Sequence, residues 1–575
     1  MLTYPHHLTT DLPELPVPSL QDSMERFRIA SAAVYGAAEE ADVNQALADF
    51  MVGPAPALQQ TLEEYATVMA DSGSNWVAEH QLEQALANRD PLQLSTNTTY
   101  QLDLPTSGAG TDRVVELLQR IGAVHIKQAK RDTEEEYDDG GRRLSMDPWA
   151  AINGGIRTPA LDQDVWVRAG TGATFRTVGL LYFGRMWEVP LTGSTGKLLE
   201  ADQLRASVEY VLSQTQPPEQ NFVSLSALGS GVLATERPWD QPDNREPYTR
   251  LTSMLFTLTL DQHVDDPDEA LQRWTFLPGY AWVYKPISYI MGLNSDLLAA
   301  HVEHSVLHSG TLATAVARMQ QVDLAKLETQ RDPQLGRAHE LVWHNATYDL
   351  SGAIARAIDK GTQRVVVRRD EHVPFAISAD VRAQLVLMIA QHLTYGRIRA
   401  HGQTCDMRHY RAGRAEMLRP VTLDAVNFVQ HLVQDQATES QFMAAIRAHQ
   451  DCVEAVEAGQ GFDSHLDMLQ QIGQELGGAN AELFTAHNAA RENFLTTFRL
   501  TTPPPWVGQS CRKLPSMALG SAIRPCQTAL NSWSPGTTKP REPKSSSTIS
   551  NKHPSCSTSS LGGSPRLSNV FRPRR

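Results

Sequence analysis

A mixed α/β fold is what this sequence predicts, and three observations predict it. Apolar residues recur at helical spacing in five segments, short apolar runs of strand length fall between them, and the composition is ordinary for a globular protein, 41% hydrophobic and 20% charged. The 575 residues allow three or four units of ordinary size, or two large ones.

Taken in order, Leu15-Pro16-Val17-Pro18 cannot be helix interior and forms an extended lead-in. Val114–Ile121 has one apolar helical face. The stretch Glu134-Glu135-Glu136-Tyr137-Asp138-Asp139-Gly140-Gly141 is acidic and glycine-bearing, which predicts a solvated loop. Strands are expected at Asp164–Val167, Val178–Phe183, Phe222–Leu225, Ile287–Met291 and Arg364–Val367, and a helix at Ala206–Leu212. Three further helices follow from apolar spacing at Ala379–Leu393, Leu423–Val433 and Glu439–Val456. No internal repeat is visible.

From Thr501 the chain is different material, with fifteen Ser and eleven Pro and no hydrophobic period. Such a segment buries too little apolar surface to offset ordering entropy, so 501–575 is expected to be disordered. It carries eleven Lys/Arg and one acid, Glu542, which leaves 40 basic and 64 acidic residues in 1–500. A tether to nucleic acid or membrane, or unselected sequence at a misassigned gene end, are both open for it. The acidic body itself repels nucleic acid and anionic membrane. No run of about 18 uncharged apolar residues occurs, so no membrane span is expected. Met1–Leu20 holds four prolines and no signal core or Arg-rich amphipathic run, and the five cysteines (Cys405, Cys452, Cys511, Cys526, Cys556) lack metal spacing. An intracellular compartment fits; cytoplasm, mitochondrion and peroxisome are not distinguished.

The standard nucleophile and phosphate signatures are missing: no Gly-x-Ser-x-Gly, no phosphate loop, no dinucleotide fingerprint. His339-Glu340 is followed by His344 five residues on, an offset that sets the two rings about 140° apart on a helix and defeats a zincin site. Asn294–Thr311 holds more chemistry. If Leu297–His304 is a strand, Leu298, Ala300, Val302 and His304 share one face, with Ala299, His301 and Glu303 on the other. His304 then ends an apolar face just before a break at Ser309-Gly310. Burial favours a neutral imidazole there, which suits a general base. A satisfied core histidine fits the same pattern, and a helical reading would align His301, His304 and His308 as metal ligands.

Several segments together carry a resemblance. Leu12-Pro13-Glu14-Leu15-Pro16-Val17-Pro18-Ser19-Leu20, Asn75-Trp76, Arg89-Asp90-Pro91-Leu92 through Asn97, and Gly231 through Trp239 resemble segments of the choline/carnitine O-acyltransferase family. Arg273-Trp274 precedes Glu303-His304-Ser305, which is similar to that family's active-site signature. Ser378-Ala379-Asp380, Arg408 through Glu416, and Gly461-Phe462-Asp463-Ser464-His465-Leu466 resemble its Ser-Pro-Asp, Gly-Arg-Thr-Glu and Asp-Arg-His-Leu elements, in the family's order.

The resemblance implies two similar domains of the chloramphenicol-acetyltransferase type, each a mixed sheet with flanking helices, with an active-site tunnel between them. It implies an N-terminal helical segment (1–99) packing with the second domain, a first domain (100–345) bearing His304, a second, incomplete domain (346–500), and the tail (501–575). The activity implied is acyl transfer between CoA and a hydroxyl acceptor, with His304 as general base. CoA is a substrate, so neither cofactor nor metal is expected. The implied partners are acyl-CoA and a small hydroxyl compound, with no nucleic acid.

The departures from the family pattern matter as much. Four residues after the catalytic His the family has a carboxylate that orients the ring; here that position is His308, with Glu303 adjacent but on the opposite face of a strand. A neutral imidazole accepts an N–H but does not stabilise an imidazolium as a carboxylate does. Around the acceptor, the Tyr, Thr and Arg with which the family binds the substrate carboxylate correspond to Gly402, Ala415 and Ser464, with Thr404 and Arg414 beside them. Arg408 or Arg414 is then the cation left to replace the lost contacts. Arg368, Arg369 and Asp380 correspond to the CoA-binding stretch. The family's Ser-Thr-Ser segment and final strands are expected to be missing after residue 490. Three readings therefore stay open: an O-acyltransferase with an acceptor other than carnitine, a catalytically silent relative, and a truncated gene product of a working enzyme.

Overall fold

Short β-branched and aromatic runs form the strands, and the longer amphipathic segments cover them. The computed structural model describes residues 11–169, 174–218, 221–344, 348–358, 377–477, 482–491 and 493–498, together with the backbone of two strands at 506–511 and 519–522. In chain order the strands are β1 (Thr98–Leu102), β2 (Ile156–Thr158), β3 (Val165–Val167), β4 (Thr177–Tyr182), β5 (Arg185–Pro190), β6 (Leu198–Leu199), β7 (Thr257–Asp261), β8 (Ile287–Gly292), β9 (Leu298–Val302), β10 (Thr329–Gln330), β11 (His339–Leu341), β12 (His401–Asp406), β13 (Ala415–Leu418), β14 (Leu495–Phe498), β15 (Trp506–Cys511) and β16 (Leu519–Ala522).

Eight strands form one mixed sheet in the order β11-β5-β4-β7-β8-β9-β1-β15. The β4-β7-β8 pairings are parallel and the rest antiparallel. Every residue of β4, β8 and β9 is buried, as expected of strands covered on both faces. Helices Gly110–Ala129 and Ala201–Leu212 lie on one side, and Leu298, Ala300 and Val302 of β9 join their core. Leu297 and Ala299 point the other way, toward Trp274 of helix Pro267–Phe276. The alternation expected around β9 is therefore what forms.

A second sheet has the order β13-β12-β14-β16, with β12 antiparallel to β13 and parallel to β14. Its outer face packs through Cys405 and Leu418 on Val453 and Val456 of helix Glu439–Glu457. Gly402, Thr404 and Asp406 alternate to the opposite face, joined by their neighbours Met417 and Ala415 across the ladder. The N-terminal helices Leu20–Ala32, Ala37–Val52 and Ala55–Asp71 share a core with helices Asp463–Glu475 and Glu482–Ala490 through Phe27, Phe50, Leu62, Leu469 and Phe484.

Helical expectations agree closely with the elements that form, Leu423–Val433 to the residue. Four other readings need correction. Phe222–Leu225 lies in a 3-10 helix, Phe222–Leu228, because the Asn221 side chain caps it by accepting from Val223 N. The acidic stretch 134–141 is not solvated throughout: Glu136 is buried and bonds Trp149, Thr314 and Arg408. The run His301–His308 is strand then turn, so no helical face aligns three imidazoles as ligands. Finally, β15 and β16 fall within 501–575. β15 completes the edge of the first sheet beside β1, and β16 pairs with β14. The strand expected at Arg364–Val367 lies outside the described residues.

Candidate active site

β9 ends at Val302, and Glu303–Leu307 turn before helix Ser309–Gln320 begins with His308 as its N-cap. The turn sends Glu303 and His304 in opposite directions. Glu303 is fully buried, and its Oε1 accepts from Arg157 Nη1 (3.1 Å), Ser305 N (3.1 Å) and Ser305 Oγ. Arg157, also fully buried, donates from Nε to Asp164 Oδ2 (2.7 Å), and Arg89 donates to Asp164 Oδ1 (2.7 Å). This chain of buried charges fixes the turn from behind. It does not reach the His304 ring.

His304 is half-buried, with Nε2 2.9 Å from the Tyr100 hydroxyl. Tyr100 is fully buried on β1, so the hydroxyl is held by a rigid element. Burial pushes the His304 pKa down to about 4; the nearby Arg414 cation pushes the same way, and a bond to the Leu307 backbone opposes both. The ring is neutral over the physiological range. His301, one turn of the strand back, bonds Asn97 and Thr99 inside the core and takes no part.

His308 does not orient His304: among the described residues no hydrogen bond joins the two rings. Its Nε2 instead accepts from Arg414 Nε at 3.1 Å, which joins the first sheet's domain to β13's approach. Burial and the Arg414 and Arg408 cations hold His308 well below the ordinary histidine range. Arg408 is buried and fully spoken for. It pairs with Asp406, with Glu136 Oε1 (2.7 Å) and with Thr311 Oγ1 (2.9 Å), so it does not replace a lost acceptor contact. The same group explains Gly310. A Cβ there would meet Arg408 Nη2 at 2.2 Å and Asp406 Oδ2 at 3.1 Å, so the helix start and β12 approach closely only because the residue is glycine.

On the second sheet, Gly402, Thr404 and Ala415 share the face turned toward that helix start. The space beyond Gly402 is filled: a Cβ would lie 2.3 Å from Asn493 Nδ2 and 2.7 Å from Met417 Sδ. Ser464 stands in the first turn of helix Asp463–Glu475, and its backbone N–H donates to Glu416 Oε1 at 3.1 Å. Burial raises the Glu416 pKa to about 7. Asp380 accepts from Gln403 Nε2 (2.6 Å) and bonds His449 Nε2 (3.1 Å), joining helix Ala379–Tyr395 to the sheet's outer face. Arg368 and Arg369 lie outside the described residues.

The strand expected to be missing after residue 490 is present as β14. It places Thr496 beside Gly402 in the ladder, buried, with an Oγ1 that has no hydrogen-bond partner among the described residues. Thr497 Oγ1 accepts from Gln384 on the other side. Sequence reasoning missed Tyr100, Arg157, Glu136 and Thr496, because their roles depend on His304, Glu303, Arg408 and Gly402, which lie 94 to 272 residues away. Only the unusual run of hydroxyls in Leu495-Thr496-Thr497 carried a local signal.

Comparison with known proteins bears on this arrangement. The profile of the family described as Choline/Carnitine o-acyltransferase matches residues 15–511, a span that includes β15 and so enters the stretch read as a tail. The carnitine O-acetyltransferase of Rattus norvegicus is 22% identical over 505 residues, 79% of this chain and 78% of that protein. The liver isoform of carnitine O-palmitoyltransferase 1 from Homo sapiens is 23% identical, covering 81% of this chain and 65% of that protein. The mitochondrial carnitine O-palmitoyltransferase 2 of Xenopus tropicalis is 23% identical over 87% of this chain and 85% of its own length.

Proposed function

The chain belongs to the choline/carnitine O-acyltransferase family, and from that membership we propose that it moves an acyl group between CoA and a hydroxyl acceptor, with His304 as general base. The observation that carries the reading is the His304 ring itself. It is neutral, half-exposed, held at Nε2 by a rigid tyrosine, and set where the end of β9 meets the approach to β13.

In the forward direction Nε2 takes the acceptor's O–H proton as the oxygen forms a bond to the thioester carbonyl carbon. The electron pair of the C=O moves to oxygen, then returns as the C–S bond breaks. The departing thiolate takes the proton from the imidazolium, giving an ester and free CoA thiol. The acceptor O–H first displaces the Tyr100 hydroxyl from Nε2, and that hydroxyl then donates to the developing oxyanion. Thr496 Oγ1, buried beside Gly402 and without a hydrogen-bond partner among the described residues, would be a second donor. Arg368 and Arg369 would meet the CoA phosphates, and Thr404, Gly402 and Ala415 would border the acceptor.

With neither a tyrosine at 402 nor a threonine at 415, the acceptor is not carnitine in its usual pose. The silent-relative reading rests on one observation, that among the described residues His304 has no carboxylate at its ring and the equivalent neighbour is a second imidazole. One assay decides between them. Purified protein is given acetyl-CoA, a thiol-trapping dye and a panel of small alcohols including carnitine. The proposal expects alcohol-dependent CoA release that His304→Ala reduces by at least a hundredfold; release that is absent, or equal in the variant, overturns it.

A further inference from the structure

Helix Leu20–Ala32 meets the start of β12 around a cavity of about 20 Å³. Two of the residues lining it each carry a buried polar atom without a hydrogen-bond partner among the described residues: Ser31 Oγ and His401 Nδ1, on side chains 2% and 1% exposed. The surrounding bonds fix what each atom offers. Gln391 Oε1 accepts from the Arg399 backbone N–H at 3.0 Å, which turns the amide so that its Nε2 donates to His401 Nε2. Burial keeps the His401 ring neutral, with its pKa held at about 4, so its one N–H proton sits on Nδ1. Nδ1 is therefore a donor, and the Ser31 hydroxyl both donates and accepts. Phe27 and Phe462 supply apolar wall. Arg419 and Asp463 also line the cavity, but they satisfy each other through Nε to Oδ2 (2.8 Å) and Nη2 to Oδ1 (3.0 Å), so no net charge is left over there.

We propose that this cavity is a binding site for a single water molecule, which accepts from the His401 Nδ1–H and bonds the Ser31 hydroxyl, and so ties the N-terminal helices to the second sheet. Size supports it, since about 10–15 Å³ of such room is enough to hold one water. Chemistry narrows the occupant further. It has to accept from Nδ1–H, which excludes an ammonium ion or a metal cation. A halide could accept from both groups, but it would sit beside the Asp463 carboxylate with the Arg419 charge already spent on that acid. Water satisfies both atoms and brings no charge. Two buried polar groups left desolvated and unpaired at one place would cost stability, and folded proteins generally satisfy them. The site has a consequence for β12. His401 lies on the strand face of Gln403 and Cys405, opposite Gly402, so the water supports from behind the strand that borders the candidate acceptor space. This holds whether or not the chain transfers acyl groups.

Crystals of the full chain grown in sodium bromide, diffracting well enough to show ordered solvent, test this directly. The expected result is one peak of solvent density within hydrogen-bond distance of both His401 Nδ1 and Ser31 Oγ, with no anomalous signal at the bromine edge. A featureless cavity overturns the proposal, and so does a bromide peak in it. Oxygen-17 relaxation dispersion gives a second reading in solution, because it counts waters that exchange slowly with bulk. Ser31→Val fills the cavity with a methyl group and removes the hydroxyl, so the variant should hold one long-lived water fewer than the unaltered protein. A folded Ser31→Val protein with an unchanged dispersion overturns the proposal. If that variant does not fold, the crystal experiment on the unaltered protein decides alone.

Discussion

Arg157 is the residue on which the position of His304 most depends, although the two do not touch. Its guanidinium serves Glu303, Asp164 and Ser305, with the backbone carbonyls of Leu86 and Asn88, all behind the turn that aims the imidazole outward. Breaking a buried ion pair by removing one partner costs more than the pair is worth, because the other charge is left in a low dielectric. Arg157→Met leaves Glu303 buried without its cation, and among the described residues Glu303 Oε2 already lacks a partner, while Asp164 keeps Arg89. The expected loss is about 3–5 kcal/mol in urea denaturation, with acyl transfer, if present, falling further than stability alone accounts for. Gly402 makes the converse case. Installing the family's tyrosine there as Gly402→Tyr drives a side chain into Asn493, whose Oδ1 accepts from Arg419 at 2.5 Å, and into Met417. Overpacking of this kind costs about 1–3 kcal/mol. The variant should melt at a lower temperature and gain no carnitine transfer, and a gain would show that Asn493 yields more easily than its bond implies.

Elements, unlike single residues, show where sequence and structure part. β9 was legible because its alternation is local: each neighbour two residues on faces the same core. The helix at Leu423–Val433 was legible for the same reason at a period of 3.6. Phe222–Leu228 misled because four apolar residues fit a buried strand or a tight helical turn equally well, and only Asn221's capping bond selects between them. Glu136 and Arg157 misled differently. A charged residue in a polar stretch resembles solvated surface until a partner hundreds of residues away, such as Arg408, is brought against it. β15 is the clearest case. It follows a Thr/Pro-rich lead that carries no strand signal, yet it pairs with five residues of β1 and so closes the edge next to the strand that bears Tyr100. An exposed edge of this kind is a template for pairing with another chain. Deleting 501–575 should therefore lower the melting temperature and produce concentration-dependent aggregation by light scattering, whereas deleting 523–575 spares both strands and should do neither. Equal behaviour of the two deletions would remove β15 from the account.

The whole molecule keeps an unusual number of imidazoles neutral by burial, and this has a consequence for its stability in acid. His125 is held at about 3 and His80, His301, His304, His401 and His465 at about 4, with His308 also far below the ordinary range. They are distributed over the first sheet's core, the junction between the sheets, the second sheet and the N-terminal helices, so no single region sets the effect. In the unfolded chain each takes up a proton near its ordinary pKa of 6.5; in the folded chain it does so only near 4 or below. Between those values the unfolded state binds more protons, so stability rises with pH and is lost as pH falls from about 6.5 toward 4. Each group contributes about 1.4 kcal/mol per pH unit within its window. Glu416 opposes the trend: its folded pKa of about 7 means that stability falls as pH rises from 4.5 toward 7. Two carboxylates raised by burial, Glu416 and Asp467, against seven depressed imidazoles leave the histidines dominant. The urea midpoint should therefore drop steeply between pH 6.5 and pH 5 and change little between pH 7 and pH 8. Replacing His125 by Gln, which keeps a donor for the Tyr289 hydroxyl, should flatten the slope by about one group's share. A midpoint that holds steady down to pH 5 would mean that these rings are charged in the folded protein, and with them the base on which acyl transfer depends.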